Sequence, residues 1–215
     1  MAVVNPKVDG GKPFDWGKAS ADYAKYRDIY PEMFYRQILD AGLCVQGQTV
    51  LDLGTGTGVL PRNLYRYGAQ FVGIDLSPEQ IEQARRLAKQ AGMQIDFFAC
   101  PAESVDFPDH TFDVVTACQC FFYFDAKKLL PNLRRMLRPG GRLAILYMAW
   151  LPGEDPIARA SEQLVLRYNP SWSGGGETRH SIELPPETEM YFTVEQESLF
   201  DLKIPFTRES WNGRM

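Results

Sequence analysis

The sequence predicts an α/β protein with one mostly parallel sheet and helices on both of its faces. Three observations support this prediction. Short apolar runs alternate with longer segments of helical periodicity, the second run ends in an acidic residue, and the first breaks into glycines at alternate positions. Strands and helices that alternate at this spacing form right-handed βαβ units around a parallel sheet.

Length and composition restrict the classes of function. The chain has 215 residues, enough for one domain, and a net charge of −4, which disfavours binding to nucleic-acid phosphates. The sequence shows neither a membrane-length apolar run nor a secretory leader, so we expect a cytoplasmic protein without membrane partners. Cys118 and Cys120 lack the spacing of a zinc site, and we expect no metal.

The first 44 residues are predicted to form an arm and covering helices. Residues 1–18 are rich in Gly, Pro and Lys and are typical of a loose arm. Helical spacing of aromatic residues predicts a short helix over 19–30, and Pro31 is expected to open a second helix that ends near Leu43.

Residues 45–150 contain the predicted core. Thr49–Leu53 reads as a buried strand, the glycines at 54, 56 and 58 as a tight turn, and Val59–Tyr67 as the helix that follows. Gln70–Asp75 is a second strand, and Ser77 with Pro78 marks the start of a helix to Ala91. The further predicted elements are strands Ile95–Ala99, Phe112–Cys118 and Arg142–Met148 and a helix Ala126–Leu137.

The pattern changes in residues 151–215, which we expect to form the substrate side of the same domain. Asp155–Tyr168 has helical periodicity, and 169–186 contains the glycine and proline clusters of a loop. Met190–Val194 and Leu199–Phe206 have the apolar content of two more strands.

A strand, a glycine turn and a helix together hold a nucleotide-like cofactor, and two cofactors fit. A dinucleotide favours the spacing G-x-G-x-x-G, whereas Gly54, Gly56 and Gly58 follow G-x-G-x-G. S-adenosylmethionine has no phosphate. Its ribose diol suits the carboxylate of Asp75, and its cationic groups suit negative potential from Asp52. Because nicotinamide enzymes also place an acid at this position, Asp75 alone leaves both cofactors open.

Four stretches together resemble the class I S-adenosylmethionine-dependent methyltransferases, in the branch that includes ubiquinone and menaquinone enzymes. They cover residues 45–149 in the family's order, and the resemblance implies a Rossmann-like, doubly wound fold. The stretches are Val50–Gly58, Val72–Ser77, Ala102–Pro108 running into Phe112–Val115, and Leu137–Leu143.

The resemblance implies a role for each matching residue. Gly54, Thr55, Gly56 and Gly58 would border the methionine and ribose of the cofactor, Asp75 would bind the ribose, and Leu76, Ala102 and Glu103 would surround the adenine. Cys118 and Gln119 would face the methyl group, and Tyr26 or Arg27 would cover the site. On the substrate side the candidates are Tyr123, Trp150 and His180.

The resemblance also has departures. Many relatives have a His-Trp pair after strand four, where this chain has Phe122 and Tyr123, so no general base is assigned. The family sheet ends in an antiparallel strand pair. We expect the chain either to lack that pair through truncation, the favoured reading, or to replace it with Met190–Phe206.

The expected function is therefore methyl transfer to a small molecule, with an aromatic or quinol-like acceptor, by a monomer or homodimer. Two alternatives remain at this point. One is a non-catalytic S-adenosylmethionine-binding protein, and the other is an NAD-dependent oxidoreductase.

Overall fold

A five-stranded parallel sheet organises the protein. The structure is a computed structural model, and it describes residues 24–214. The strand order is β3-β2-β1-β4-β5, and all neighbouring strands pair in parallel. The strands are β1 (Thr49–Leu53), β2 (Gln70–Asp75), β3 (Asp96–Ala99), β4 (Phe112–Cys118) and β5 (Leu137–Leu146).

The helices are α1 (Glu32–Asp40), α2 (Val59–Leu64), α3 (Pro78–Gln90), α4 (Ala126–Met136), α5 (Pro156–Tyr168) and α6 (Arg208–Arg214). Short 3-10 helices cover Tyr65–Tyr67, Ala102–Ser104, Phe121–Tyr123 and Pro186–Met190. Residues 24–26 are helical as well. The predicted arm and residues 19–23 of the first predicted helix lie outside the described residues, and residues 27–30 of that prediction are not helical.

Alternation along β1 divides the core between the two faces of the sheet. Leu51 and Leu53 pack with the buried leucines of α4, whereas Val50 packs with the buried residues of α1 and α2. Successive residues of a strand point to opposite faces, so helices must cover both sides of this sheet. The predicted doubly wound α/β fold is confirmed.

The start of α3 shows how local sequence sets an element. The Ser77 hydroxyl accepts a hydrogen bond from the backbone N–H of Gln80, and Pro78 occupies the first helical position. Such a cap satisfies an N–H that otherwise has no partner in the first turn. The helix ends at Gln90, one residue before the predicted end.

The start of β5 differs from the prediction. Leu137 already pairs with Phe112, and the register then shifts so that Arg142 pairs with Val114. The strand is therefore Leu137–Leu146 rather than Arg142–Met148. Residues 138–141 have no partner on β4 in this register, and Gly140 adopts a φ of 77°, a conformation that lets the chain turn there.

The two strands predicted after residue 189 are wrong. Met190 closes a 3-10 helix, and no strand lies between Met190 and Phe206, a range that the structure describes throughout. Met190, Val194 and Leu199 expose 60% or more of their surface, so their apolar pattern does not mark a buried face. A strand needs a partner edge as well as apolar residues.

Over residues 24–214, no helix combines the length and the apolar character required to cross a membrane.

Candidate functional site

The site lies where the C-terminal ends of the central strands meet. The chain crosses from β1 to β2 on one side and later returns to place β4 on the other side of β1. Parallel sheets bind ligands at such a switch point, outside the carboxyl ends of the strands. A cavity of about 630 Å³ opens there. This volume falls in the usual range of cofactor and substrate sites, roughly 300–1,000 Å³.

The glycine turn after β1 is built by backbone conformation. Gly54, Gly56 and Gly58 have φ values of 57°, 56° and 74°, a region that side chains disfavour. Gly54 also needs to be small, because a Cβ there would lie 2.8 Å from both Cβ and Sγ of Cys120. Gly54 and Gly56 line the cavity.

The amides of this turn are already bonded within the protein. Thr55 N donates to the Ile74 carbonyl at 2.8 Å, Gly56 N to Asp75 Oδ2 at 2.9 Å and Gly58 N to the Thr55 carbonyl at 2.8 Å. A pyrophosphate is normally held by free N–H groups at such a turn. Here the bonded amides and an adjacent carboxylate favour a ligand without phosphate.

Asp75 ends β2 and lines the cavity. Its Oδ1 accepts from Ser77 N at 2.8 Å, and its Oδ2 accepts from Gly56 N. Burial raises the pKa of Asp75, while the two backbone N–H donors lower it. Each carboxylate oxygen can accept more than one hydrogen bond, so the group can also receive two ligand hydroxyls.

Asp52 lies beneath the turn rather than in the cavity wall. It is 2% exposed, and Thr116 Oγ1 of β4 donates to its Oδ1 at 2.6 Å. Burial raises its pKa to about 6, against the effect of the Thr116 hydrogen bond. The carboxylate can therefore supply negative potential near the site without touching a ligand.

At the predicted adenine end, Leu76, Ala102 and Glu103 line the cavity. Glu103 Oε1 accepts from Asp125 N at 2.8 Å, which ties this wall to the start of α4. Cys100 and Pro101 line the same wall and were missed in the sequence. Their position immediately after β3 was the available signal, since all parallel strands end at this edge.

Gln119 has a left-handed backbone at the end of β4, with a φ of 65°. Its N donates to the Leu146 carbonyl and its Nε2 to the Met148 carbonyl, both at 2.8 Å. Such a conformation costs a non-glycine residue roughly 1–3 kcal/mol, and strain of this kind concentrates at ligand sites. Gln119 and the neighbouring Cys118 both line the cavity, and burial raises the pKa of Cys118 to about 12.

The other cavity wall is rich in aromatic side chains. Tyr123 and Trp150 line it as proposed. Trp150 is fixed by Trp211 and Arg214 of α6, whose ring centroid and guanidinium carbon lie 5.3 and 4.3 Å from its ring centroid. The further aromatic residues of this wall are Phe124, Tyr147, Trp172 and Trp211.

Helix α6 also brings the N-terminal residues to the site. Arg27 lines the cavity and donates from its guanidinium to the Arg214 carbonyl at 3.2 Å. Tyr26 lies behind it, and its hydroxyl donates to Glu209 Oε1 at 3.2 Å. The sequence did not indicate α6 as part of the site.

His180 does not line the cavity, although it contacts two residues that do. Its Nε2 lies 3.1 Å from Glu177 Oε2, and its ring centroid lies 6.4 Å from that of Tyr147. Glu177 and Tyr147 were not singled out in the sequence. Tyr147 directly follows β5, so the rule that ligands bind at strand ends would have found it.

The predicted cofactor residues thus divide into two groups. Those in the cavity wall are Arg27, Gly54, Gly56, Asp75, Leu76, Ala102, Glu103, Cys118 and Gln119. Tyr26, Asp52, Thr55 and Gly58 lie outside the wall. Within residues 24–214, no three His, Cys, Asp or Glu side chains are grouped to hold a metal ion.

Comparison with known proteins relates part of the chain to one family. Residues 51–145 match the family described as a methyltransferase domain. The chain is 40% identical over 114 residues to a demethylmenaquinone methyltransferase of Thermus thermophilus, and the aligned region covers 52% of each protein. It is 32% identical over 133 residues to a ubiquinone biosynthesis O-methyltransferase of Cereibacter sphaeroides, covering 61% of this chain and 54% of that one.

A solved structure shows the same fold. The crystal structure of a SAM-dependent methyltransferase from Aquifex aeolicus superposes with a TM-score of 0.54 at 22% identity, over 80% of this chain and 93% of that one. The chain spans about half the length of the curated relatives it matches.

Proposed function

We propose that this chain, which carries a methyltransferase domain over residues 51–145, transfers a methyl group from S-adenosylmethionine to a small aromatic acceptor. One observation carries the proposal. The Asp75 carboxylate is held at the cavity wall by the Gly56 N–H of the glycine turn, where a ribose diol can reach it.

The cavity residues fit this cofactor by their chemistry. Asp75 would accept the two ribose hydroxyls, and Leu76 with Ala102 would pack against the adenine, near the carboxylate of Glu103. Gly54 and Gly56 would lie against the methionine portion. Cys118 and Gln119 would face the methyl group, with Arg27 on the covering side.

The bound cofactor supplies an electrophilic methyl group on a sulfonium, whose leaving group is neutral. The protein then has to hold the acceptor in line with that methyl group and to exclude water. Gln119 is held in place by a hydrogen bond from its side chain to the Met148 carbonyl, and the aromatic side chains are held by contacts between their rings. Both are therefore suited to orienting the acceptor and excluding water.

The aromatic wall of the cavity indicates the class of acceptor. Tyr123, Tyr147, Trp150 and Trp172 offer flat apolar surfaces, which favour an aromatic or quinol-like molecule over a nucleic acid. The net charge of −4 points the same way. The proposal includes a monomer or a homodimer as the assembly.

A thermal-shift experiment separates this proposal from an NAD-dependent enzyme. Only a ligand that binds the folded state raises the melting temperature. At about one hundred times its dissociation constant, S-adenosylhomocysteine should raise it by roughly 5–10 °C, and NAD should not. A shift with NAD alone would contradict the proposal.

Methylation assays complete the test. Transfer of a labelled methyl group to quinols or other hydroxylated aromatic compounds, with none to RNA, is expected. Binding of S-adenosylhomocysteine without transfer to any of a broad panel of small molecules would indicate the non-catalytic alternative.

A further inference from the structure

Three side chains form a hydrogen-bonded string from the cavity to solvent. Tyr147 Oη donates to Glu177 Oε1 at 3.0 Å, and Glu177 Oε2 lies 3.1 Å from His180 Nε2. Tyr147 and Glu177 line the cavity, whereas the His180 side chain is 46% exposed. The string therefore connects the acceptor side of the site with bulk water.

A backbone contact determines the tautomer of His180. His180 Nδ1 lies 2.8 Å from the Ser181 carbonyl oxygen. Because a carbonyl only accepts, Nδ1 must carry a proton, and Nε2 of the neutral ring is left as an acceptor. Nε2 and the carboxylate oxygen can then approach to 3.1 Å only by sharing a proton, so the pair can take one up and release it.

The ionisable groups around the string agree with this arrangement. The Ser181 carbonyl and Glu177 raise the pKa of His180, and Glu183 adds to the effect from the same loop. From β5, Tyr147 faces the pair. Burial and the Glu177 hydrogen bond raise its pKa to about 12, with Tyr123 adding to the shift, so Tyr147 stays protonated and donates.

The loop that carries Glu177 and His180 is tied down by Arg179. Its guanidinium forms ion pairs with Glu154, at the turn before α5, and with Asp201 of the C-terminal segment. Since the anchor lies next to His180 in the chain, it limits how far the string can move from the cavity.

We propose that Glu177 is the general base for an acceptor that carries a phenol or quinol hydroxyl, and that His180 passes the proton to solvent. This inference rests on the proposed methyl transfer. The acceptor O–H bond breaks and its proton goes to Glu177. The oxygen keeps the electron pair and bonds to the methyl carbon, as the carbon–sulfur bond breaks and its pair returns to sulfur. Tyr147 positions the carboxylate.

The test compares two probes in the full chain. Catechol needs a base at neutral pH, whereas 4-nitrocatechol is largely ionised without one. The Glu177→Gln variant keeps the size of the side chain and an acceptor for Tyr147. It should lower kcat for catechol by roughly 100-fold or more, with little effect on 4-nitrocatechol, because general bases contribute about 10²–10⁴.

A pH profile tests the role of His180. In the wild type, kcat for catechol should rise with pH through a pKa above 6.5, where the pair loses its shared proton. In His180→Asn this limb should disappear, because the amide cannot take up the proton that the imidazole shares with Glu177. Tyr147→Phe should lower kcat roughly tenfold while Glu177 is retained.

The matched control is Glu197→Gln, an exposed carboxylate of the C-terminal segment outside the cavity wall and outside the groups that shift the pKa of His180. It should keep kcat within about twofold of the wild type. Equal losses for catechol and 4-nitrocatechol in Glu177→Gln would overturn the proposal. So would a wild-type protein that binds S-adenosylhomocysteine but methylates only amines or none of the catechols. Failure to bind S-adenosylhomocysteine would instead overturn the proposed function.

Discussion

The two walls of the cavity are made in different ways. The wall proposed to bind the cofactor (the cofactor wall) is formed at the ends of buried strands, and backbone groups of residues 54–58 and 75–77 set its geometry. The wall proposed to bind the acceptor (the acceptor wall) is formed by side chains from the segments after β4 and β5, from α5, from the loop 169–185 and from α6, held together by ring contacts and exposed ion pairs. The fold therefore specifies the cofactor wall, whereas the acceptor wall depends on a few anchoring contacts that can change without affecting the sheet.

The largest expected effect concerns the core behind the cofactor wall. Leu133 of α4 is fully buried, and Leu133→Ala should lower the free energy of unfolding by about 2–5 kcal/mol. Leu164→Ala on α5, which is 55% exposed, should change it by no more than about 0.5 kcal/mol. Chemical denaturation of both variants tests this difference. Equal losses in the two variants would mean that the side chains of α4 and α5 contribute equally to the free energy of unfolding.

The buried carboxylate beneath the glycine turn should make stability depend on pH. The pKa of Asp52 is raised from 3.8 to about 6 in the folded protein. The folded state therefore holds a proton that the unfolded state has released. Stability contributed by this group is present below pH 4 and falls between about pH 4 and 6, by roughly 1.4 kcal/mol per pH unit.

Asp52→Asn should remove this loss, because an amide keeps the Thr116 hydrogen bond and does not ionise. The variant should be more stable than the wild type at pH 7, on the order of 3 kcal/mol, and the difference should shrink towards pH 4. Denaturation curves over this range measure it. A difference that stays constant with pH would exclude Asp52 as its origin.

Loss of the carboxylate at the cofactor wall should affect binding more than folding. Asp75→Ala removes the acceptor for the Gly56 and Ser77 amides and for the proposed ribose contact. The affinity for S-adenosylhomocysteine should fall by about 100-fold, since hydrogen bonds to charged groups contribute about 1.5–3 kcal/mol each. Calorimetry gives the affinity, with the exposed Asp96→Ala in β3 as the control. Unchanged affinity in Asp75→Ala would contradict the ribose assignment.

The smallest expected effect concerns the anchor of the acceptor wall. Arg179→Met breaks the ion pairs to Glu154 and Asp201 while it keeps the length of the side chain. Exposed ion pairs contribute little, so KM for the acceptor should rise by at most about fivefold. KM for S-adenosylmethionine should not change. Steady-state kinetics measures both KM values. Equal rises for the acceptor and for S-adenosylmethionine would show that the two walls are coupled.

The difference between the two walls also explains which elements could be predicted from the sequence. Thr49–Leu53, Gln70–Asp75 and Phe112–Cys118 were predicted to the residue, because each is a buried run bounded by turn residues. The segment 190–206 was predicted as strands from similar apolar content and forms none. Tyr191 and Phe192 pack against the core, while Val194 and Leu199 face outward. Local pattern cannot reveal whether a partner edge is available.

The candidate site follows the same rule. Gly54, Gly56 and Asp75 were accessible from the sequence because their roles depend on neighbours in one strand–turn–helix unit. Glu177 and Arg214 were not, since their place in the wall depends on contacts with Tyr147 and Trp150, far away in the chain. The division into residues 1–44, 45–150 and 151–215 stays a prediction.

The most direct test of the central claim is a crystal structure of the chain with S-adenosylhomocysteine. The account predicts the ligand between the glycine turn and the end of β2, with both ribose hydroxyls within hydrogen-bond distance of the Asp75 carboxylate. A ligand bound elsewhere, or a ribose that turns away from Asp75, would contradict it.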